Sequence, residues 1–284
     1  MSDYTDGFWQ SCDGLKLHYR DYPGRSDRPP VICLHGLTRN SRDFANLAAR
    51  ISGEWRVICP EMRGRGDSAY AKDAQTYVPA QYVEDLKDLL EQVGIDRFVA
   101  IGTSLGGIMT MLAAEQMPDR IAAAIINDVG PVLSPEGLKR IAAYVGQGRT
   151  FPTWMHAARA LEQGHRPAYP DFHIADWLAM AKRLMTLSSN GRIVFDYDMK
   201  IAEPFASIDP DNQPDLWAGL DALGGRPLLF LRGALSDILS EPTFERMKDH
   251  LPGAEFVTIR NVGHAPTLDE AEAVAAIDRV LAKV

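Results

Sequence analysis

Six short apolar runs, each bounded by glycine, proline or charge, constrain the fold of this chain more than any other feature. They are rich in Val, Ile, Leu and Cys and do not alternate with polar residues, which is typical of strands covered on both faces of a parallel sheet. They span residues 30–36, 55–64, 98–104, 121–130, 226–233 and 254–263. Residues 14–24 instead alternate with period two and predict an antiparallel edge hairpin with the residues just before them.

Helical patterns separate the apolar runs. A helix is expected to start at an N-cap on Ser41, and another has Pro79 near its start and Gly94 just past its end. A third follows Ser104 and runs to Pro118, and the last 17 residues form an amphipathic helix. This alternation of strand and helix predicts an α/β fold with a mostly parallel, doubly wound sheet.

Residues 131–223 break the alternation. They contain no convincing strand and are rich in Met, Trp, His and Tyr. A helical insertion of this length exceeds an ordinary crossover between strands. We therefore predict a core made of residues 1–130 and 224–284, with residues 131–223, the cap segment, lying over one end of the sheet.

Composition excludes several classes of protein. A hydrophobic fraction of 46% is too high for a disordered chain, and a net charge of −8 argues against nucleic-acid binding. The three cysteines, Cys12, Cys33 and Cys59, cannot all pair, which is typical of a reduced compartment. The N-terminus has no signal-peptide pattern and no apolar stretch is long enough to cross a bilayer, so a cytoplasmic location and no membrane partner are expected.

Ser104 lies where a predicted strand becomes a predicted helix, in the pattern Gly102-x-Ser104-x-Gly106. A tight strand-to-helix turn strains the serine backbone and exposes its hydroxyl, and the neighbouring positions must be small to let the chain pass. The N–H of Leu105 and the helix dipole can stabilise an anion beside the serine. The pattern predicts a nucleophile; the alternative is a glycine-rich turn with a serine N-cap.

A nucleophilic serine needs a base and an acid that orients it. His264 follows the last predicted strand and is the favoured base, whereas His35 is interpreted as structural. Asp237 follows the strand at 226–233 and is the preferred acid; Asp128 is the competitor. With Asp237 the chain order is Ser, Asp, His at three strand ends.

These residues and three further motifs give the resemblance of the chain to a known family. With "CLHGLTRNSRDF" (33–44), "MRGRGDS" (62–68) and "QMPDRI" (116–121), the sequence resembles the α/β-hydrolase family over essentially its whole length. The resemblance implies an oxyanion hole formed by the backbone N–H groups of Leu37 and Leu105. It also implies that the cap segment roofs the substrate pocket.

The resemblance implies hydrolysis of a small-molecule carboxylic ester or lactone. The strand-to-helix turn of this chain carries a serine, Ser104, whereas haloalkane dehalogenases and epoxide hydrolases of the same fold carry an aspartate there. Carbon–carbon bond hydrolases of this fold often have Trp after the catalytic histidine, where this chain has Ala265. Such a hydrolase, a haloperoxidase-like side activity and a small-molecule receptor remain alternatives.

Candidate substrate-binding residues are Arg39, which could contact a carboxylate, and the cap aromatics Trp154, Tyr169 and Trp177. Aromatic residues at helical spacing more often pack a cap against a core. No phosphate-binding glycine loop and no metal-ligand spacing is present, so no cofactor and no metal are expected. The sequence does not indicate an oligomeric state.

Overall fold

The structure is a computed structural model that describes residues 4–207 and 215–284. Within them, eight strands form the main sheet in the order β1-β2-β4-β3-β5-β6-β10-β11. The strands are β1 (Thr5–Gln10), β2 (Lys16–Tyr22), β3 (Val31–Leu34), β4 (Val57–Glu61), β5 (Phe98–Thr103), β6 (Ile121–Asn127), β10 (Leu228–Gly233) and β11 (Glu255–Ile259).

Each of the six apolar runs contains one strand of this sheet. Strands β4, β3, β5, β6, β10 and β11 run parallel to one another. The alternating segment forms β2, which pairs antiparallel with β1 and with β4. The predicted α/β fold with a mostly parallel sheet and an edge hairpin is therefore confirmed.

The helices of the described residues flank the sheet or belong to the cap segment. They are α1 (Ala45–Ile51), α2 (Pro79–Val93), α3 (Leu105–Gln116), α4 (Pro135–Ala142), α5 (Trp154–His165), α6 (Ile174–Leu184), α7 (Ala202–Phe205), α8 (Trp217–Asp221), α9 (Glu241–His250) and α10 (Ala271–Leu281). Among them, no helix combines the length and the apolar character needed to cross a membrane.

Helix boundaries follow the predicted signals, with one exception. Helix α2 starts at Pro79 and ends at Val93, and Gly94 adopts φ +72° as the left-handed residue after the helix. The N-cap of the 3₁₀ turn before α1 is Asn40, whose side chain accepts from the N–H of Arg42, and not Ser41. The Ser41 hydroxyl donates to Glu61 at 2.6 Å instead.

The cap segment contains strands that the sequence did not predict. A three-stranded antiparallel sheet joins β7 (Thr150–Phe151), β8 (Met185–Leu187) and β9 (Ile193–Phe195) in the order β7-β9-β8. These strands have two or three residues each, too few to produce a recognisable alternation of polar and apolar positions. The helices expected in this segment are present, but the expectation that it contains no strand is wrong.

The two faces of the main sheet bury two hydrophobic cores. In β3, Ile32 and Leu34 point into one core, and Val31 and Cys33 into the other. This follows from the alternation of side chains along a strand, and it explains why the runs are apolar at every position. The cysteines Cys12, Cys33 and Cys59 are free.

The start of helix α3 lies so close to the sheet that there is no space for a side chain at Gly102 or Gly106. A Cβ on Gly106 would lie 2.0 Å from the carbonyl oxygen of Leu34 in β3. A Cβ on Gly102 would lie 2.3 Å from the carbonyl oxygen of Gly106. Real Cβ atoms do not approach backbone this closely, so both glycines are steric requirements of the turn at Ser104.

We expect Gly106→Ala to lower the free energy of unfolding by about 3 kcal/mol, because the added methyl group overlaps a backbone oxygen that cannot move away. Gly253→Ala is the matched control, since a Cβ at that position meets nothing within 4 Å. Denaturant unfolding of both variants measures the difference. Equal stability of the two variants would contradict the steric requirement.

Candidate active site

Ser104 connects the end of β5 to the start of α3 in a strained conformation. Its φ of 54° and ψ of −114° are unusual for any residue other than glycine. The surroundings hold this conformation, since the Ser104 N–H donates to the carbonyl of Asn127 at 2.9 Å and the N–H of Gly107 donates to the Ser104 carbonyl at 2.8 Å. The Ser104 side chain makes no cap hydrogen bond to the helix, so it does not act as an N-cap.

The Ser104 hydroxyl instead starts a chain of hydrogen bonds. Nε2 of His264 lies 2.8 Å from Oγ of Ser104, and Nδ1 of His264 lies 2.8 Å from Oδ2 of Asp128. Because a carboxylate only accepts hydrogen bonds, Nδ1 donates to Asp128 and Nε2 accepts from the serine. The structure thus brings the Ser104 hydroxyl, the His264 imidazole and the Asp128 carboxylate together in one chain of hydrogen bonds.

Asp128 directly follows β6 and has a positive φ of 57°. Its carboxylate is fully buried and accepts from the N–H of Gly233 and the hydroxyl of Ser236, each at 2.8 Å, as well as from His264. These donors offset the cost of removing a carboxylate from water. They also fix the position of the carboxylate beneath the imidazole.

The prediction that Asp237 orients His264 is wrong. Asp237 forms a two-point ion pair with Arg140 of helix α4, in which Nη2 donates to Oδ1 at 2.8 Å and Nε donates to Oδ2. Burial alone would raise the pKa of Asp237, but the hydrogen bonds and charge of Arg140 lower it. The loop after β10 still serves the site, because its Ser236 holds Asp128.

The sequence could not distinguish the two aspartates by position. Strands β6 and β10 are neighbours in the sheet and parallel, so both aspartates follow strands that end at the same edge. They differ in their partners: Asp128 contacts His264, whereas Asp237 contacts Arg140 of a helix in the cap segment. No pattern in the sequence indicates that contact.

The loop after β3 lies beside Ser104. A Cβ on Gly36 would lie 3.7 Å from Cβ of Ser104, and Gly36 and Leu37 line the same cavity as Ser104. The carbonyl of Leu37 accepts from Nε of the buried Arg65 at 2.9 Å. The N–H of Leu105 is the first of helix α3, a position that has no partner within its helix.

His35 stabilises this loop from inside. Its Nδ1 donates to the carbonyl of Gly36 at 2.8 Å, and its Nε2 accepts from the N–H of Met62 at 3.1 Å. Accepting this bond requires a neutral ring. Burial, together with the nearby charge of Arg65, lowers the pKa of His35 to about 4. The structural interpretation of this histidine agrees with these contacts.

The cap segment holds the histidine loop in place. The Tyr169 hydroxyl donates to the carbonyl of Ala265 at 2.8 Å and accepts from its N–H at 3.0 Å. The carbonyl of Ala168 accepts from the N–H of Gly263 at 2.6 Å. On the core side, Nδ2 of Asn127 donates to the carbonyl of Pro266 at 2.8 Å. These contacts on both sides fix His264 between Ser104 and Asp128.

A cavity of about 190 Å³ opens at Ser104 and His264, between the core and the cap segment. Its lining combines apolar side chains, called the apolar wall below, with polar and basic ones, called the polar wall. The apolar wall includes Phe151, Met180, Leu184, Met185 and Phe195. The polar wall includes Arg39, Arg140, Tyr144, Arg149, His165 and Tyr169.

Two of the four predicted substrate-binding residues line this cavity: Arg39 and Tyr169. The other two, Trp154 and Trp177, do not belong to its lining. Trp177 is fully buried and packs edge-on against Tyr169, with ring centroids 5.9 Å apart, while Trp154 packs against the same hydrophobic core. Arg140 and Arg149 were not predicted, because no sequence signal separates a cavity arginine from a solvated one.

One cluster of the described residues could offer three ligand atoms to a metal ion: His18, Glu61 and Asp67. The Glu61 carboxylate already accepts from His18, from the Ser41 hydroxyl and from the N–H of Asp67. Burial would raise the pKa of Glu61, but these hydrogen bonds lower it to about 2. The cluster therefore ties β2, β4 and the turn after β4 together as part of the fold.

We expect acid to destabilise the protein through His35. Because its pKa of about 4 in the folded state lies below the ordinary histidine value of 6.5, the unfolded chain binds more protons between these pH values. The free energy of unfolding therefore falls as pH drops below 6.5. Between pH 7 and pH 4.5, we expect His35→Gln to lose about 2 kcal/mol less of its free energy of unfolding than the unchanged protein does. Denaturant unfolding at the two pH values measures this difference.

The exposed His156 provides the matched control. His156→Gln should lose as much stability as the unchanged protein between the two pH values. A His35→Gln variant that loses the same amount would show that this histidine is not held neutral by the fold.

Comparisons with known proteins agree with this geometry. The model of the alpha/beta hydrolase family matches residues 31–277. The chain is 32% identical over 279 residues to the 3-hydroxybutyrate-oligomer hydrolase of Cupriavidus necator (95% of this chain, 94% of that protein). It is 34% identical over 267 residues to the sn-1-specific diacylglycerol lipase ABHD11 of Mus musculus (88% and 80%). The crystal structure of an alpha/beta hydrolase from Novosphingobium aromaticivorans, 61% identical, superposes with a TM-score of 0.96 over 100% of both chains. The chain belongs to the alpha/beta hydrolase family.

Proposed function

We propose that this protein hydrolyses carboxylic esters or lactones through an acyl-enzyme intermediate on Ser104. The observation that carries the proposal is the continuous chain of hydrogen bonds from Ser104 through His264 to Asp128, at the wall of a cavity. A serine hydroxyl is a weak nucleophile until a neighbouring base removes its proton. This chain supplies the base and the group that orients it.

In the first half of the reaction, Nε2 of His264 takes the proton of Ser104 as Oγ attacks the carbonyl carbon of the ester. The negative charge that develops on the carbonyl oxygen is stabilised by the backbone N–H groups of Leu37 and Leu105. The protonated His264 then gives its proton to the departing alcohol. The acyl group stays on Ser104 as an ester.

In the second half, His264 takes a proton from water as the water oxygen attacks the acyl carbon. The protonated His264 then gives this proton to Oγ of Ser104 as the bond between Oγ and the acyl carbon breaks and the acid leaves. Throughout, Asp128 keeps the proton of the neutral imidazole on Nδ1, so that Nε2 faces the serine, and it stabilises the imidazolium that forms. The contacts of Asp128 with Gly233 and Ser236 hold it in the orientation this role requires.

The names of two relatives support ester cleavage. One hydrolyses 3-hydroxybutyrate oligomers and the other is a diacylglycerol lipase, and the substrates named in both cases contain ester bonds. The region that matches this chain covers 94% of the first relative and 80% of the second. The bond we propose for this protein is therefore of the same chemical type.

We expect a fluorophosphonate probe to label the protein at Ser104, because the probe reacts with a serine that a neighbouring histidine activates. Ser104→Ala should abolish labelling and lower the rate of p-nitrophenyl acetate hydrolysis by at least 10³-fold. Mass spectrometry of the labelled peptide identifies the residue, and spectrophotometry measures the rate.

Ser240→Ala is a matched control, since Ser240 caps helix α9 away from the cavity. It should retain labelling and hydrolysis. Hydrolysis by Ser104→Ala at the unchanged rate would overturn the proposal. A single turnover followed by tight retention of the product would instead identify a receptor.

We expect the two aspartates to differ strongly in their effect on kcat. Asp128→Asn should lower kcat for p-nitrophenyl acetate by about 10⁴-fold, because an amide in this place favours the wrong tautomer of His264. Asp237→Asn should lower it by less than about tenfold, since Asp237 contacts Arg140 rather than the imidazole. The opposite ranking in steady-state kinetics would restore Asp237 as the acid of the triad.

A further inference from the structure

We propose that the substrate of this site is an ester that carries a carboxylate, and that Arg39 and Arg140 bind this carboxylate. The inference rests on the proposed ester hydrolysis and adds the chemical class of the substrate. It commits to a short substrate whose carboxylate lies a few bonds from the ester carbonyl.

The first argument is the charge of the cavity wall. The whole chain has 38 acidic and 30 basic residues, so a wall of average composition would carry more acids than bases. Among the described residues that line the cavity, three are arginines and none is aspartate or glutamate. A basic wall in an acidic protein raises the local concentration of anions and favours their binding.

The second argument is the place of Arg39. A Cβ on Gly36 would lie 3.3 Å from Cγ of Arg39 and 3.7 Å from Cβ of Ser104, so the arginine stem lies close to the serine. Burial disfavours the charge of Arg39, but Asp43 and the nearby tyrosines outweigh it and raise its pKa. A positive charge is therefore held beside the reacting serine.

Arg39 has donors to spare for a ligand. Its hydrogen bond to Asp43, from Nη1 to Oδ1, is 3.3 Å long and involves one of the five N–H groups of the guanidinium. A guanidinium binds a carboxylate most strongly through two parallel hydrogen bonds. The single long bond to Asp43 leaves room for such a pair with a substrate.

The third argument is the ion pair of Arg140 with Asp237. This pair is partly exposed, with side-chain exposures of 35% and 37%, and Arg140 lines the cavity. Asp237 shows that the position of Arg140 suits a carboxylate, and an incoming carboxylate would share Arg140 with it. Removal of Asp237 should therefore strengthen binding of an anionic substrate, whereas removal of Arg140 should weaken it.

The histidine of the cavity wall fits the same interpretation. Burial and the charges of Arg39 and Arg140 lower the pKa of His165 to about 4, so the ring is neutral at pH 7. Its edge packs against Tyr144, with ring centroids 5.7 Å apart. The positive charges of Arg39 and Arg140 thus disfavour a further cation at His165, and the same charges would favour an anion in the cavity.

The apolar wall accounts for the rest of the substrate. Phe151, Met180 and Phe195 offer a surface for a hydrocarbon part, and a cavity of about 190 Å³ admits only a small one. Two kinds of ester meet these requirements. One is a monoester of a short dicarboxylic acid, with the carboxylate in the acyl part; the other is a short oligoester of a hydroxy acid, with the carboxylate in the alcohol part.

Two matched pairs of substrates test the proposal. Monomethyl glutarate is compared with methyl valerate, and the 3-hydroxybutyrate dimer is compared with its methyl ester. We measure kcat/KM for all four compounds at the same pH. For the first pair, the released acid is titrated at constant pH; for the second pair, the release of free 3-hydroxybutyrate is followed. We expect the anionic member to be preferred at least tenfold in one pair, and that pair identifies which part of the substrate carries the carboxylate.

Variants assign the preference to the arginines. Arg39→Gln and Arg140→Gln should each lower the ratio of anionic to neutral kcat/KM at least tenfold, mainly by raising KM for the anionic ester. Asp237→Asn should lower that KM two- to tenfold. The double variant Arg140→Gln with Asp237→Asn should behave as Arg140→Gln does, which separates the loss of the arginine from the exposure of an unpaired aspartate.

Arg50→Gln is the matched control, because Arg50 pairs with Asp278 on the surface, outside the cavity lining. It should leave both ratios as they are. Equal efficiency on both members of both pairs, or arginine variants that affect the two members equally, would overturn the carboxylate site while ester hydrolysis by Ser104 stands.

If no ester is turned over, ester hydrolysis itself fails, and binding then decides the carboxylate site. Glutarate should bind to Ser104→Ala in calorimetry, and at least tenfold more weakly once Arg140→Gln is added. Absence of glutarate binding, or binding that Arg140→Gln does not weaken, would overturn the site.

Discussion

A single buried carboxylate connects the parts of this site. Asp128 accepts from Gly233 at the end of β10, from Ser236 in the loop that follows and from His264 after β11. Asn127, the residue before it, accepts from the N–H of Ser104 and donates to Pro266. A carboxylate deprived of water must find donors, so the loops that supply them are held against the end of β6. The geometry between serine and histidine depends on this requirement.

The cap segment adds both positioning and charge. Tyr169 bonds to both backbone groups of Ala265, so the cap fixes the residue next to the histidine while its own ring lines the cavity. Arg140 belongs to helix α4, pairs with Asp237 and adds a positive charge to the cavity wall. This contact gives Asp237 a partner other than His264, and it contributes to the class of ligand that the wall favours.

Much of the fold and part of the site could be predicted from the sequence. The apolar runs predicted strands because the residues of a strand that is covered on both faces must be apolar at every position. The glycines around Ser104 are required because the backbone of helix α3 passes so close to β3 that no Cβ fits between them. The strands of the cap were missed because two or three residues carry no periodicity. Trp154 and Trp177 were placed at the substrate and instead pack within the protein. The cytoplasmic location, the cap boundaries and the absence of a cofactor stay predictions.

What the sequence determined by itself is the order of strands and helices, the nucleophile turn and the set of strand ends that could supply a base and an acid, because these depend on local spacing and on burial. What only the tertiary structure decided is the choice between Asp128 and Asp237 and the basic character of the cavity. Both depend on contacts between residues that are distant in the sequence, since Asp128 and His264 are 136 residues apart along the chain and Arg140 and Asp237 are 97 residues apart. A contact between side chains so distant leaves no local pattern, since its energy depends on where two separately formed elements meet.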